Sequence, residues 1–369
     1  MIVARSGETG RQGETNQSVG IVKSSLPFLS LAVIVKDQAD HLDTLLRDHR
    51  TLYDEAVVVD TGSRDGSREV ATLHGARLIS SQWGHDFSAA RNRGLDAARG
   101  RWVVVLDCDE AITPVDQEDL RNLLESLSPS LVVLEQRNYT WRRQALGFVP
   151  NGPGQEGLAC KSPGYIPRRQ IRVFPGGTGI TYSGRVHETV ERSPASRNYK
   201  KIKLDICIHH YGHLEGSGGH LRRSRRNGEL LRREVHDRPQ DPVLLTEFAT
   251  QLVAEGQTEA ARRLCHRAVA VAPGHSELYQ AHLMLARLGW GDCPEQACHE
   301  AETALRSRPD LPECWIEAAR ANALRGNLPR ARKLCAQGQA LFPLDTVLGK
   351  METQVFPQSG DNTREGLGW

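Results

Sequence analysis

Between Leu29 and Asp107 the chain alternates four short apolar runs, LSLAVIV, EAVVVD, ARLISSQW and RWVVVLD, with three amphipathic stretches, ADHLDTLLRDHR, SREVATLHG and FSAARNRGLDAARG. Short runs rich in β-branched residues suit strands covered on both faces, and the stretches between them have the spacing of helices with one apolar side. Strands that alternate with helices pair in parallel, so the pattern predicts an open α/β sheet flanked by helices. Ligands of such sheets lie beyond the carboxyl ends of the strands. Here those ends are acidic: Asp37 follows the first run, Asp60 closes the second, Asp86 follows the third, and Asp107 with Asp109 close the fourth. A single acid there is commonplace, but a series along one edge predicts a polar ligand held through a cation.

Within the fourth run, side-chain alternation predicts that Asp107 and Asp109 project together while Cys108 points away. Two adjacent carboxylates repel, and without a counter-charge one of them holds its proton. A divalent cation removes the repulsion and takes oxygen ligands, with Mg2+ or Mn2+ preferred. The D-x-D triplet therefore suits a clamp on a cation bound to a diphosphate. Acids at strand ends are also often solvated or capping groups, so the triplet gains its weight from its surroundings. Asp60 closes a second buried run and leads into the turn TGSRDGS. Arg91 and Asn92 stand near the start of the intervening helix, where an arginine can hydrogen-bond a base, ribose or phosphate. Asp65 reads as a turn or helix-cap residue rather than a ligand, and Asp86 as either a cap or a neighbour of the ligand.

At 369 residues the chain exceeds what one core usually holds, which predicts two domains. Its 39% apolar and 25% charged residues are ordinary for a globular protein, and a net charge of +2 gives no general attraction for nucleic acid or membrane. No run approaches the ~18 apolar residues of a membrane helix, and the amino terminus lacks the apolar core of a signal peptide. A cytoplasmic protein without a transmembrane segment is expected. The eight cysteines, at 108, 160, 207, 265, 293, 298, 314 and 335, form no C-x-x-C pair and read as buried, reduced thiols.

Past Pro129 the strand-like pieces LVVLEQRNYTW, RQIRVFP, GITYSGRVHETVE and IKLDICIHHYG surround a Gly/Pro-rich stretch near 147–167, predicted as a long loop. The last third repeats itself. Pro273, Pro309 and Pro343 recur at intervals of 36 and 34, each preceded by an alanine (Ala261, Ala297, Ala331) and, further back, by a glycine (Gly256, Gly291, Gly326). That period, with small residues at packing positions, predicts three degenerate tetratricopeptide copies between about 241 and 345. Such an all-α stack offers a surface for a protein partner or for a homodimer.

The segments AVIVKDQADHL, VVVDTGSRDGS, DFSAARNRGL and WVVVLDCDE, in this order and spacing, resemble the family 2 glycosyltransferases of the GT-A nucleotide-diphospho-sugar transferase fold. The resemblance covers about residues 29–215. It is strongest to the subgroup that carries tetratricopeptide repeats and includes the sublancin-type peptide S-glycosyltransferases. It implies a metal-dependent, inverting enzyme that moves a sugar from a nucleoside-diphosphate sugar to a hydroxyl or thiol of a peptide, a glycan lipid or a small molecule. Asp60 would contact the base or ribose with Arg91 assisting, Asp107 the ribose, and Asp109 a Mn2+ or Mg2+ ion bridging the donor's phosphates. The resemblance further implies an acidic catalytic base, matched by Glu188 in RVHETV, and a metal-facing histidine in HHYGH. His210 is preferred over His209, which should point the other way along a strand. Arg172 and the glycines of RVFPGGTGITYSGRVHE would lie near the acceptor or phosphates. Glu188 reads alternatively as an exposed strand residue or a partner of Arg185, and His210 as a structural histidine.

The expected layout is a disordered tail (1–27), a GT-A catalytic domain (28–218), a connecting helix (219–240), tetratricopeptide-like repeats (241–347) and a flexible tail (348–369). The stretch HLRRSRRNGELLRREVHDR reads as a solvated connecting helix ahead of a site for an acidic acceptor or nucleic acid, and it has no aromatic residues to stack on bases. Two other functions fit parts of the chain. VVVLDCDEAIT also suits a haloacid-dehalogenase-type phosphatase with Asp107 as nucleophile and Asp109 as acid/base. A non-catalytic repeat scaffold with a relic first domain is the other.

Overall fold

The structure, a computed structural model, describes residues 26–143, 147–152, 162–212, 214, 217–343 and 345–351. Most of the expected amino-terminal tail, part of the Gly/Pro-rich loop with Cys160, and residues 352–369 lie outside the described residues.

The four apolar runs form β1 (Leu29–Val35), β2 (Glu55–Asp60), β3 (Arg77–Ser80) and β4 (Trp102–Val105), paired in parallel in the order β3-β2-β1-β4. Helices α1 (Ala39–Asp48) and α2 (Ser67–Leu73) pack on the face carrying Leu31, Val33 and Val58. The opposite face, with Ala32, Val103 and Val105, receives α3 (Phe87–Ala97). Cover on both sides is why β1, β2 and β4 are apolar almost throughout. Gly94 lets α3 lie close: a Cβ there would sit 3.3 Å from Val59 Cγ2. The chain runs outward from β1 to β3 and then returns to place β4 on the other side of β1. This reversal opens a crevice at the carboxyl ends of β1 and β4.

The sheet is mixed rather than wholly parallel. After α4 (Pro114–Ser126), β6 (Leu131–Thr140) pairs antiparallel with β8 (Gly164–Pro175), and β8 pairs antiparallel with β4. Among the described residues no helix links β6 to β8, and the two strands pair antiparallel rather than through a parallel crossover. Short β7 (Val149–Pro150) pairs with β8, so the described ends of the expected loop belong to the sheet. Strand β9 (Lys201–His210) runs parallel to β6 and holds the two-residue β5 (Glu110–Ala111) at the edge. The piece GITYSGRVHETVE is not a strand. Its only pairing is the bridge Ser183–Thr189, and left-handed backbone at Gly184 (φ 107°) and His187 (φ 54°) breaks the alternation.

The repeats form three helical hairpins: α6 (Pro242–Ala254) with α7 (Thr258–Val271), α8 (Tyr279–Gly289) with α9 (Pro294–Ser307), and α10 (Pro312–Leu324) with α11 (Leu328–Leu341). Ala261, Ala297 and Ala331 are buried in the second helix of each pair. Leu348 and Met351, assigned by sequence to a flexible tail, are instead buried against the last hairpin through α12 (Thr346–Lys350). Between the two parts lies α5 (Ser217–Asp237), the arginine-rich stretch. It is not simply solvated. Leu230 and Leu231 are buried in one cluster with Val186, Leu244, Trp83, Phe87 and Phe248.

The seven described cysteines form no disulfide; five are buried, Cys207 is half-buried and Cys293 is exposed, contrary to expectation. No described helix is long and apolar enough to cross a membrane.

Candidate active site

Strand β4 ends at Val105, and Leu106–Asp109 turns out of the sheet toward β5. The alternation expected of Asp107 and Asp109 therefore does not apply, and each acid has its own partner. Asp107 Oδ1 accepts from Arg91 Nη2 at 2.7 Å, whereas Asp109 Oδ2 lies 3.3 Å from His210 Nε2. Cys108 does point away, into the core. Burial alone would raise the Asp107 carboxyl, but Arg91 and then Arg172 outweigh it and hold the group down at about 2. Asp107 is thus an anion at neutral pH without help from a metal.

Arg91 comes from the second turn of α3, a helix whose start is fixed by Asp86, which caps it by accepting from Ala89 N at 2.9 Å. The capping reading of Asp86 is the one the structure shows. Arg91 is 7% exposed, and its Nε donates to Glu188 Oε1 at 2.5 Å. Asn92 stitches the same helix to the Glu188 loop by pairing with both the N–H and the carbonyl of Tyr182. Arg185 pairs with Asp237 at 2.7 Å and not with Glu188. One guanidinium therefore bridges the acid after β4 and an acid far along the chain. Its remaining nitrogen, Nη1, is buried and has no hydrogen-bond partner among the described residues. A buried donor left open is unusual and marks a place where a ligand atom fits.

Alternation along β9 sends His209 and His210 to opposite sides. His209 Nδ1 meets Tyr139 Oη at 2.7 Å, while His210 Nδ1 meets Asn138 Oδ1 at 2.7 Å and turns Nε2 toward Asp109. Burial would lower His210, but hydrogen bonding to Asp109 raises it above its ordinary value. Gly212 follows at the point where these groups converge: a Cβ there would lie 2.1 Å from Asp109 Oδ2 and 2.9 Å from His210 Nε2. Among the described residues no three His, Cys, Asp or Glu groups gather into a complete metal site. The chain offers instead one carboxylate oxygen and one imidazole nitrogen side by side. That donor pair fits a cation whose other ligands come from a bound diphosphate.

Asp60 is 1% exposed and accepts from Ser63 N at 2.9 Å, so one oxygen holds the turn after β2. Its other oxygen lies 3.8 Å from the half-exposed Arg68. Asp65 is a turn residue, bonded to Ser67 and to Ala39 N. Arg172 lies buried beneath the acids, donating to Glu110 Oε1 at 2.6 Å, while its Nε has no hydrogen-bond partner among the described residues. Glu110, which the sequence left without a role, is the keystone of the turn. It accepts from Arg172, Gln136 and Asp107 N and so fixes the D-x-D backbone. Asn138 was likewise missed. The only signal for either is position: β5 and β6 both set their residues opposite His210.

Residues 31–182 match the family model described as Glycosyl transferase family 2. Over 87% of its length the chain is 28% identical to a TPR repeat-containing protein of Synechococcus elongatus, covering 77% of that protein. Over 63% it is 21% identical to the SPbeta prophage-derived glycosyltransferase SunS of Bacillus subtilis, spanning about half of that relative (51%). A tetratricopeptide protein of Thermus thermophilus superposes on 36% of the chain with a TM-score of 0.30 and 24% identity, over 74% of that structure. Glu188 and His210 lie beyond the family match. Neither the phosphatase nor the scaffold reading survives: the matched family transfers glycosyl groups, and Asp107 is tied down by Arg91 rather than presented as a nucleophile.

Proposed function

We propose that this chain, a glycosyltransferase by its family 2 domain, carries out an inverting transfer from a nucleoside-diphosphate sugar bound at the crevice between β1 and β4. The observation that carries the reading is the bridge made by Arg91. It joins Asp107 on the leaving-group side to Glu188 on the acceptor side, and leaves a buried Nη1 for the ligand between them.

In this reading Glu188 takes the proton from an acceptor hydroxyl or thiol as that atom bonds to the anomeric carbon and the bond to the diphosphate breaks on the opposite face. Arg91 orients Glu188 for that transfer. Asp107, ionised, accepts from a ribose hydroxyl, and Asp60 supports the base or ribose from the end of β2. Asp109 and His210 would hold a Mn2+ or Mg2+ ion, whose charge neutralises the departing diphosphate. Arg91 serves here as a bridge with one open donor, more than as a direct contact to the base.

The division into catalytic domain (28–218), connecting helix (219–240) and repeats (241–347) belongs to the same proposal. So do a cytoplasmic setting and a protein partner or second copy on the repeats. A screen of UDP-, GDP- and dTDP-sugars with manganese, read as donor hydrolysis and as protection against thermal unfolding, tests it. One nucleotide should protect in a metal-dependent way; protection by none would overturn the proposal.

A further inference from the structure

The catalytic domain does not close its own site. Arg223, on the first half of α5, donates through Nη2 to the carbonyl of Gly212 and holds Nη1 3.9 Å from Asp109 Oδ2. The same Nη1 is 3.0 Å from the point where a Gly212 Cβ would stand, so it joins Asp109 and His210 at that convergence. Three residues on, Arg226 lays its guanidinium over the ring of Phe87, 4.8 Å from the centroid. Phe87 is the first residue of α3, the helix that carries Arg91. Residues three apart on a helix share a face, so Arg223 and Arg226 lie on the side of α5 that meets Asp109 and Phe87, with Arg226 like Arg225 still exposed to water.

Arg223 stands beside Asp109. Arg91 is matched by Asp107 and Glu188, and Arg172 by Glu110. No carboxylate among the described residues lies within ion-pair distance of Arg226, whose hydrogen bonds go to Asn227 Oδ1 at 3.3 Å. Two guanidiniums one turn apart repel, and an anion lying between them and the acids would relieve that repulsion.

We propose that Arg223 and Arg226 form a clamp on the diphosphate of the donor, supplied by the helix that leads into the repeats rather than by the catalytic sheet. This rests on the glycosyltransferase reading of the site. A diphosphate is favoured over an acidic acceptor because Arg223 stands beside Asp109, the carboxylate on the leaving-group side. Guanidinium forks suit phosphate oxygens, and charge on the departing diphosphate grows as transfer proceeds. Arg223 and Arg226 thus hold the leaving group from α5, beside Asp109 and the start of α3. Because α5 is also packed on α6 through Leu230, Leu231 and Leu244, the repeat stack sets the clamp's position.

Titration calorimetry of the full chain with the preferred nucleoside diphosphate and with its monophosphate, each with manganese, tests the clamp. R226A is the primary variant, since its side chain makes no ion pair among the described residues; R223K accompanies R223A in case loss of the Gly212 bond disturbs folding. R225A on the exposed face is the control. R226A and R223A should weaken the diphosphate tenfold or more, with R223K intermediate, the monophosphate affected far less, and R225A unchanged. Equal diphosphate affinity in wild type, R223A and R226A would overturn the clamp. So would unchanged diphosphate affinity with a raised KM for the acceptor, which would assign the pair to the acceptor. If the wild type binds no nucleoside diphosphate at all, the glycosyltransferase reading of the site itself falls, and the clamp with it.

Discussion

Arg91 concentrates the site's electrostatics in one side chain. Replacing it with alanine leaves Asp107 and Glu188 without their buried partner, so Arg91→Ala should cost about 3–5 kcal/mol in urea unfolding and abolish transfer. Arg91→Lys keeps the charge but cannot reach both carboxylates with a fork, so it should recover part of the stability and little of the activity. Gly212→Ala tests the convergence point. Its methyl group would stand where Asp109 Oδ2 now lies, so manganese-linked nucleotide binding should fall while the melting temperature changes little. The places of Asp60, Asp107 and Asp109 at or just past strand ends, and of His210 on the side of β9 opposite His209, were legible in the sequence because strand ends and strand alternation are local patterns. Glu110, Gln136 and Asn138 were not, because their partners arrive only when β5, β6 and β9 come together. That Arg172 faces inward to Glu110 was not legible, since nothing in RVFPGG says so.

At the scale of elements, the four parallel strands and the repeat hairpins could be read directly, because each is encoded by a period: apolar runs for the strands, and a Gly/Ala/Pro spacing near 34 for the hairpins. The Glu188 loop could not. Its residues alternate like a strand, yet positive φ at Gly184 and His187 and the hold of Asn92 on Tyr182 make it a loop. Helix α5 was misread because a count of arginines hides the buried Leu230 and Leu231 on its other face. A pH test belongs to its neighbour α6. Burial lifts the Glu247 carboxyl from 4.5 to about 7, outweighing the pull of Arg192. With the folded value above the unfolded one, its stabilising contribution is full below about pH 4.5 and is lost as pH rises through about 7. Glu247→Gln should therefore raise the melting temperature at pH 8 relative to wild type and give little or no gain at pH 4.5, measured by scanning calorimetry.

For the whole molecule, the catalytic sheet and the repeats are joined by a shared core as well as by chain continuity. Leu230 and Leu231 pack with Val186, Trp83 and Phe87 on one side and with Leu244 and Phe248 on the other. Arg185 bonds to Glu234 and Asp237 alongside them. Truncating either leucine to alanine should cost about 2–5 kcal/mol and split a single thermal transition into two, because it weakens the joint without touching either core. The central claim is a division of labour between acids brought together from distant parts of the chain: Asp109 serves the departing diphosphate and Glu188 takes the acceptor's proton. It is tested most directly by measuring donor binding and sugar transfer, with manganese, in Asp109→Ala and Glu188→Gln beside wild type. The account predicts that Asp109→Ala loses metal-linked donor binding, and that Glu188→Gln binds donor as the wild type does yet transfers no sugar. Transfer at the wild-type rate by the Glu188→Gln protein would contradict it.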